Sequence, residues 1–126
     1  VHPFRTAVEA RDLDAMVDLL TEDVIFRSPV VFKPYQGRAA VAPILGAVLE
    51  VFEDFRYTRE IGAADAADHA LVFQAAIGGR EVEGCDFLHA DETGSITELT
   101  VMVRPLSAVV ALAEAMSARL TSDASS

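Results

Sequence analysis

The sequence predicts an α+β domain with helices first, a curved antiparallel sheet next and one last helix. Three observations carry that prediction. Apolar residues keep a helical period to about residue 53, the period then shortens to two over four successive runs, and a helical stripe returns behind Pro105. The 126 residues fit one domain, and a hydrophobic fraction of 52% is ample for its core.

Taken in order, Pro3 suits a first helical turn and Phe4 and Val8 lie one turn apart, which predicts a helix over 3–10. Leu13, Met16, Val17 and Leu20 fall at i, i+3, i+4 and i+7 behind a capping Asp12, which predicts a second helix over 12–20. The run DVIFRSPV alternates, so it reads as a strand with Val24, Phe26 and Ser28 inward and Pro29 ending the ladder. VVFKPYQG, bounded by prolines and a glycine, reads as an irregular loop or short edge strand carrying Phe32 and Tyr35. Val41, Ile44, Leu45, Val48, Leu49 and Phe52 predict a third helix over 41–53, because Pro43 is harmless only in a first turn.

From DFRYTRE onward the residues alternate. HALVFQAAI, REVEGCDFLHA and SITELTVMVR follow, separated by Gly78-Gly79 and by Asp91 to Gly94, which predicts an antiparallel meander. Leu106, Val109, Val110, Ala113, Met116 and Leu120 make the last helical stripe, with Ser107 as its cap. One domain over 1–120 and a frayed polar tail over 121–126 complete the expected organisation.

Twenty acidic against ten basic residues give a net charge of −10, which repels phosphate backbones and anionic lipid heads. Neither nucleic acid nor a membrane surface is therefore expected as a partner. The longest apolar run, Ala108 to Ala113, is far below the roughly 20 residues of a bilayer span, and VHPFRTAVEARD has no signal pattern. A cytoplasmic location is expected. The lone Cys85 forms no internal disulfide, and the histidines match no metal motif, so no metal or cofactor is expected.

Several stretches carry a family resemblance. ARDLDAMVDLLTEDVIFRSPV, PYQGRAAV and VEGCDFLHADETGSITELTVMVRP occur in that order. Together with the element order they resemble the nuclear transport factor 2-like superfamily, in its SnoaL-like and ketosteroid isomerase-like branch. The resemblance implies a cone whose N-terminal helices cover the concave face of a bent antiparallel sheet, and a homodimer joined through the convex face. It carries the isomerases' oxyanion-hole Asp onto Asp86, whereas their strand-end base falls on Ser28 and their first-helix Tyr on Phe4, which has no hydroxyl. Two of the three isomerase roles are thus lacking. SnoaL-like cyclases, which rely on one acidic residue acting as acid and base on an already acidic substrate, are more similar to this pattern.

Alternation puts Val82, Gly84, Asp86 and Leu88 on one face of their strand and Glu83, Cys85, Phe87 and His89 on the other. Asp86 is thereby an ionisable group among apolar neighbours and must find a partner or carry a raised pKa. It is the candidate catalytic residue, in a cavity lined by Phe26, Ser28, Tyr57, Phe73, Leu99 and Val101. Tyr57 donates either to a ligand or to Asp86, and Ser28 either to a ligand or to a local turn. His69 and His89 read as surface or interface histidines, and Arg104 as a rim ion pair. Outward Cys85, Phe87 and Met102 are too apolar for a solvated sheet face, which supports the dimer independently. Two functions stand open: a cyclase or isomerase acting on a small apolar ligand through Asp86, and a non-catalytic dimer that binds such a ligand in the same cavity.

Overall fold

A computed structural model describes residues 1–125, with side chains to residue 120. Helix α1 spans Pro3–Glu9, and the imidazole of His2 caps it by accepting the Phe4 amide at 3.0 Å. Helix α2 spans Leu13–Asp18, where the Asp12 carboxylate accepts the Ala15 amide at 3.1 Å. It stops two residues before the expected end. Leu20 is already sheet, because the backbone there pairs with the far strand and the Ile96 amide donates to the Leu19 carbonyl at 2.7 Å.

Strand β1 spans Leu20–Arg27, and the two-residue edge strand β2, Tyr35–Gln36, pairs antiparallel with it. Helix α3 spans Arg38–Val51 and so begins before the position its proline suggested. Pro43 sits inside the helix, tolerated because Val41, Ile44, Leu45 and Ala47 are buried and the carbonyl it orphans belongs to exposed Ala39. Tertiary burial outweighs the local penalty there.

Strands β3 (Glu53–Ile61), β4 (Asp68–Ile77), β5 (Arg80–Ala90) and β6 (Ile96–Arg104) form the expected meander. The six-stranded sheet runs β2-β1-β6-β5-β4-β3, and β1 pairs with β6 in parallel, so the sheet is mixed rather than wholly antiparallel. No hairpin joins those two strands, and their direction is free of the constraint that a short turn imposes. Helix α4 spans Leu106–Ser125, helical past the point where a polar tail was expected. Among its described side chains Ala108, Leu112 and Met116 are buried, while Leu106 and Val110 face outward. Ser107 lies within the helix, not at its cap. The segment is apolar on several sides, so periodicity alone admitted more than one stripe.

The helices cover one face of the sheet, where Val24, Phe26, Leu71, Phe73, Val82, Leu88 and Leu99 are buried. One position in that face admits no side chain. A Cβ on Gly84 would meet the ring of Phe73 and lie 2.7 Å from the Met102 carbonyl oxygen. The Phe73 ring therefore rests over the β5 backbone. Gly84→Ala should destabilise the fold by roughly 1–3 kcal/mol through overpacking, read as a lower urea midpoint at unchanged m-value.

Candidate active site

The register of the meander assembles the site. Tyr57 on β3 pairs with Phe73 on β4, Phe73 pairs with Gly84 on β5, and Asp86 follows Gly84 on the same face. The phenol of Tyr57 reaches across β4 and donates to Asp86 Oδ2 at 2.7 Å. Both residues are 7% exposed.

Above this pair lies a cavity of about 310 Å³. The sheet contributes Phe26, Phe55, Tyr57, Phe73, Asp86, Leu99 and Val101 to its wall, and the helices contribute Phe4, Val8, Met16, Leu45, Val48, Leu49 and Leu112. Phe52, at the end of α3, completes an aromatic wall. Phe55 stacks on Phe73 at 4.7 Å between centroids and meets the Tyr57 ring edge-on at 4.9 Å. Exposed Glu9, Arg11 and Asp54 line the cavity as well and mark its mouth.

Burial pushes the Asp86 carboxyl up to about 7, and the Tyr57 hydrogen bond pulls the other way. Desolvation is therefore the stronger influence, and at neutral pH both the acid and the carboxylate are populated. The Tyr57 hydroxyl is held protonated, because burial and then the adjacent carboxylate both disfavour a phenolate. Burial also raises the Cys85 thiol, with Asp86 adding to the effect. The site holds one exchangeable proton near neutrality, next to a fixed hydroxyl donor.

Of the residues singled out from the sequence, Phe26, Tyr57, Phe73, Asp86, Leu99 and Val101 come together around the cavity. Ser28 does not. Its hydroxyl accepts the Val30 and Val31 amides at 3.0 and 3.3 Å, so it organises the turn after β1, and Pro29 takes the place on the wall. His69 is buried at 7% exposure with its Nε2 against the Ala63 carbonyl at 2.8 Å, in contrast to the surface or interface position expected. A glycine at position 62 makes room for that ring. His89 stays exposed beside Asp68 at 2.7 Å, and Arg104 pairs with Glu83 at 2.9 Å. Among the described residues no cluster of three or more His, Cys, Asp or Glu side chains could hold a metal ion, and no helix is long and apolar enough to cross a membrane.

The sequence did not mark Glu9, Arg11 or Asp54. Arg11 and Asp54 adopt left-handed backbone angles, with φ of 53° and 52°, which aim their side chains from element ends. Asp tolerates that region better than most residues, but nothing local identifies it in advance.

A family model for the SnoaL-like domain matches residues 1–99. Among solved structures, a steroid delta-isomerase from Pseudomonas aeruginosa is 42% identical with a TM-score of 0.92, and the match covers 98% of this chain and 90% of that one. An uncharacterized bacterial protein with a cystatin-like fold from Silicibacter pomeroyi is 38% identical with a TM-score of 0.91, over 97% and 85% of the two chains. An epoxide hydrolase/cyclase-like enzyme of pyran ring formation in salinomycin shares the fold at 20% identity and a TM-score of 0.65, over 80% and 84%. No curated protein matches the chain. The chain belongs to the SnoaL-like domain family, in the ketosteroid isomerase-like branch of the nuclear transport factor 2-like superfamily.

Proposed function

We propose that the chain is a proton-transfer enzyme that takes a small, uncharged, largely apolar carbonyl compound into the cavity and isomerises or cyclises it through Asp86. One observation carries this reading: a carboxyl group near pKa 7 faces an apolar cavity with a fixed phenol as its partner. A group whose pKa matches the working pH is the most effective general acid and base. The carboxylate removes a proton from carbon beside the substrate carbonyl, and the electron pair moves into the carbonyl as an enolate. In isomerisation the resulting acid returns the same proton to the far carbon of the conjugated system. In cyclisation the enolate carbon bonds to a second carbonyl carbon of the substrate, the C=O electron pair moves onto oxygen as an alkoxide, and the acid protonates that oxygen. Tyr57 holds Oδ2 throughout, so the lone pair on Oδ1 is the one directed at substrate.

Likeness to a steroid delta-isomerase supports the isomerase form. A volume of about 310 Å³ lies at the lower end of ligand pockets and favours compact substrates. The probes are accordingly β,γ-unsaturated cyclic ketones, monocyclic and steroidal in parallel, followed by absorbance of the conjugated product. Asp86→Asn should retain binding and lose at least ~10²-fold in kcat, since the amide keeps the shape but cannot exchange the proton. Binding of these ketones without turnover in the unsubstituted protein would instead assign the cavity to non-catalytic carriage.

The pH dependence has a defined sign. Wild-type kcat should rise with pH through about 7 as Asp86 ionises. Stability runs the opposite way. The folded pKa lies above the unfolded value, so the contribution of Asp86 is complete below about pH 4, falls as pH rises, and is lost above about 7. Urea midpoints should therefore drop between about pH 4 and about pH 7 in the wild type, and that part of the drop should vanish in Asp86→Asn.

A homodimer through the outer face of the sheet belongs to the same reading. Its support is Phe87 at 42% and Met102 at 59% exposure, beside half-buried Cys85, on a face that water alone would leave apolar. Light scattering at micromolar concentration should give twice the 13.5 kDa of one chain, and Phe87→Glu should halve it. A stable 13.5 kDa species in the unsubstituted protein would overturn the dimer.

A further inference from the structure

We propose that Arg5 is a positioning residue that polarises the Tyr57 hydroxyl against Asp86 from outside the cavity. The inference rests on Asp86 being the proton-transfer group, but its geometry stands apart from any substrate. Arg5 leaves the buried side of α1 with its side chain 24% exposed, and its Cζ lies 5.8 Å from the centroid of the Tyr57 ring. Two carboxylates hold it there. Glu9, one helical turn on, lies 3.4 Å from Nε, and Glu60 on β3 lies 3.6 Å from an outer guanidinium nitrogen. Glu60 also accepts the main-chain amide of His2 at 3.1 Å, which fastens the start of α1 to the strand that carries Tyr57.

The placement is not the one that would satisfy the guanidinium best. Its Nε is buried and makes no hydrogen bond among the described residues. Position over the ring is thus retained at the expense of a donor, and the planar guanidinium is the side chain suited to that position. Arg5 does not line the cavity wall, so it reaches the reacting atoms only through Tyr57. A cation over the ring face draws electron density from the phenol and makes its O–H a stronger donor. A stronger donor at 2.7 Å favours the carboxylate form of Asp86 over the acid. The chain of contacts runs Glu60, Arg5, Tyr57, Asp86, from the protein edge to the cavity floor.

Other groups around the pair do not take this part. Glu9, Arg11 and Asp54 lie at the mouth, Cys85 points to the opposite face of β5, and α3 and α4 present only apolar side chains to the cavity. Glu9 bears on Tyr57 with the opposite sign to Arg5.

Titration of the Asp86 carboxyl by ¹³C NMR tests the proposal without substrate, so its outcome is separate from whether Asp86→Asn loses turnover. Arg5→Met should raise the Asp86 midpoint by about 0.5 on the pH scale, and Arg5→Lys should restore most of it. Arg5→Gln keeps a polar side chain at the position without the charge and should give the same rise, which preserves the test if the methionine variant fails to fold. In a Tyr57→Phe background, removing the Arg5 charge should leave the midpoint where Tyr57→Phe alone puts it. An unmoved midpoint in both single variants, or an equal rise with and without the Tyr57 hydroxyl, would overturn the proposal.

Discussion

Hiding the Asp86 carboxyl among Phe73, Leu99 and Val101 would cost several kcal/mol for an isolated charge. The surrounding structure is arranged to lower that cost without removing it. Tyr57 supplies one donor, and the bare backbone at Gly84 seats the ring of Phe73 beside the pair. A second donor or a nearby cation in the cavity would return the carboxyl to its ordinary range and leave it a spectator at neutral pH. One hydrogen bond, against burial among apolar side chains, leaves the group balanced between its two forms.

The same strand serves two environments. Because side chains alternate along β5, Gly84, Asp86 and Leu88 lie on the buried face, with Asp86 on the cavity wall, while Cys85, Phe87 and His89 face the other way. A one-residue slip in register would exchange the two sets, placing Phe87 against the aromatic wall and Asp86 outside. Register is fixed on both sides, by ten residue pairs with β4 and by the ladder to β6. The chemistry of the cavity is therefore secured by backbone pairing rather than by contacts of the acid itself.

Most of the fold and six residues of the cavity wall were legible in the sequence, for physical reasons that differ by element. Strand period two is unambiguous where one face is buried, so β5 and the inward position of Asp86 could be read directly. Asp12 as a helix cap was equally local. What depended on distant partners was hidden. Leu20 continued a helical stripe, yet its backbone was claimed by a strand from the other end of the chain. Ser28 looked inward by parity, but the proline after it ended the strand and freed its hydroxyl for the turn. The stripe of α4 was ambiguous because its sequence is apolar on several sides. Arg5 carried no sequence signal, since its meaning arises only when Tyr57 is brought beneath it.

The parallel pairing of β1 with β6 bears on how the chain reaches its native state. Those strands are separated by most of the sequence, with α3 and the rest of the meander between them. The meander and its neighbouring turns are local and form early, whereas closure of β1 onto β6 carries a large loop-entropy barrier. A chain emerging from the ribosome makes its first strand long before the partner exists. Until then the apolar edge of β1, with Val24 and Phe26, has only the two residues of β2 to cover it. Newly made chains thus pass through a period of exposure during synthesis, when an unpaired strand edge is open to association with other chains.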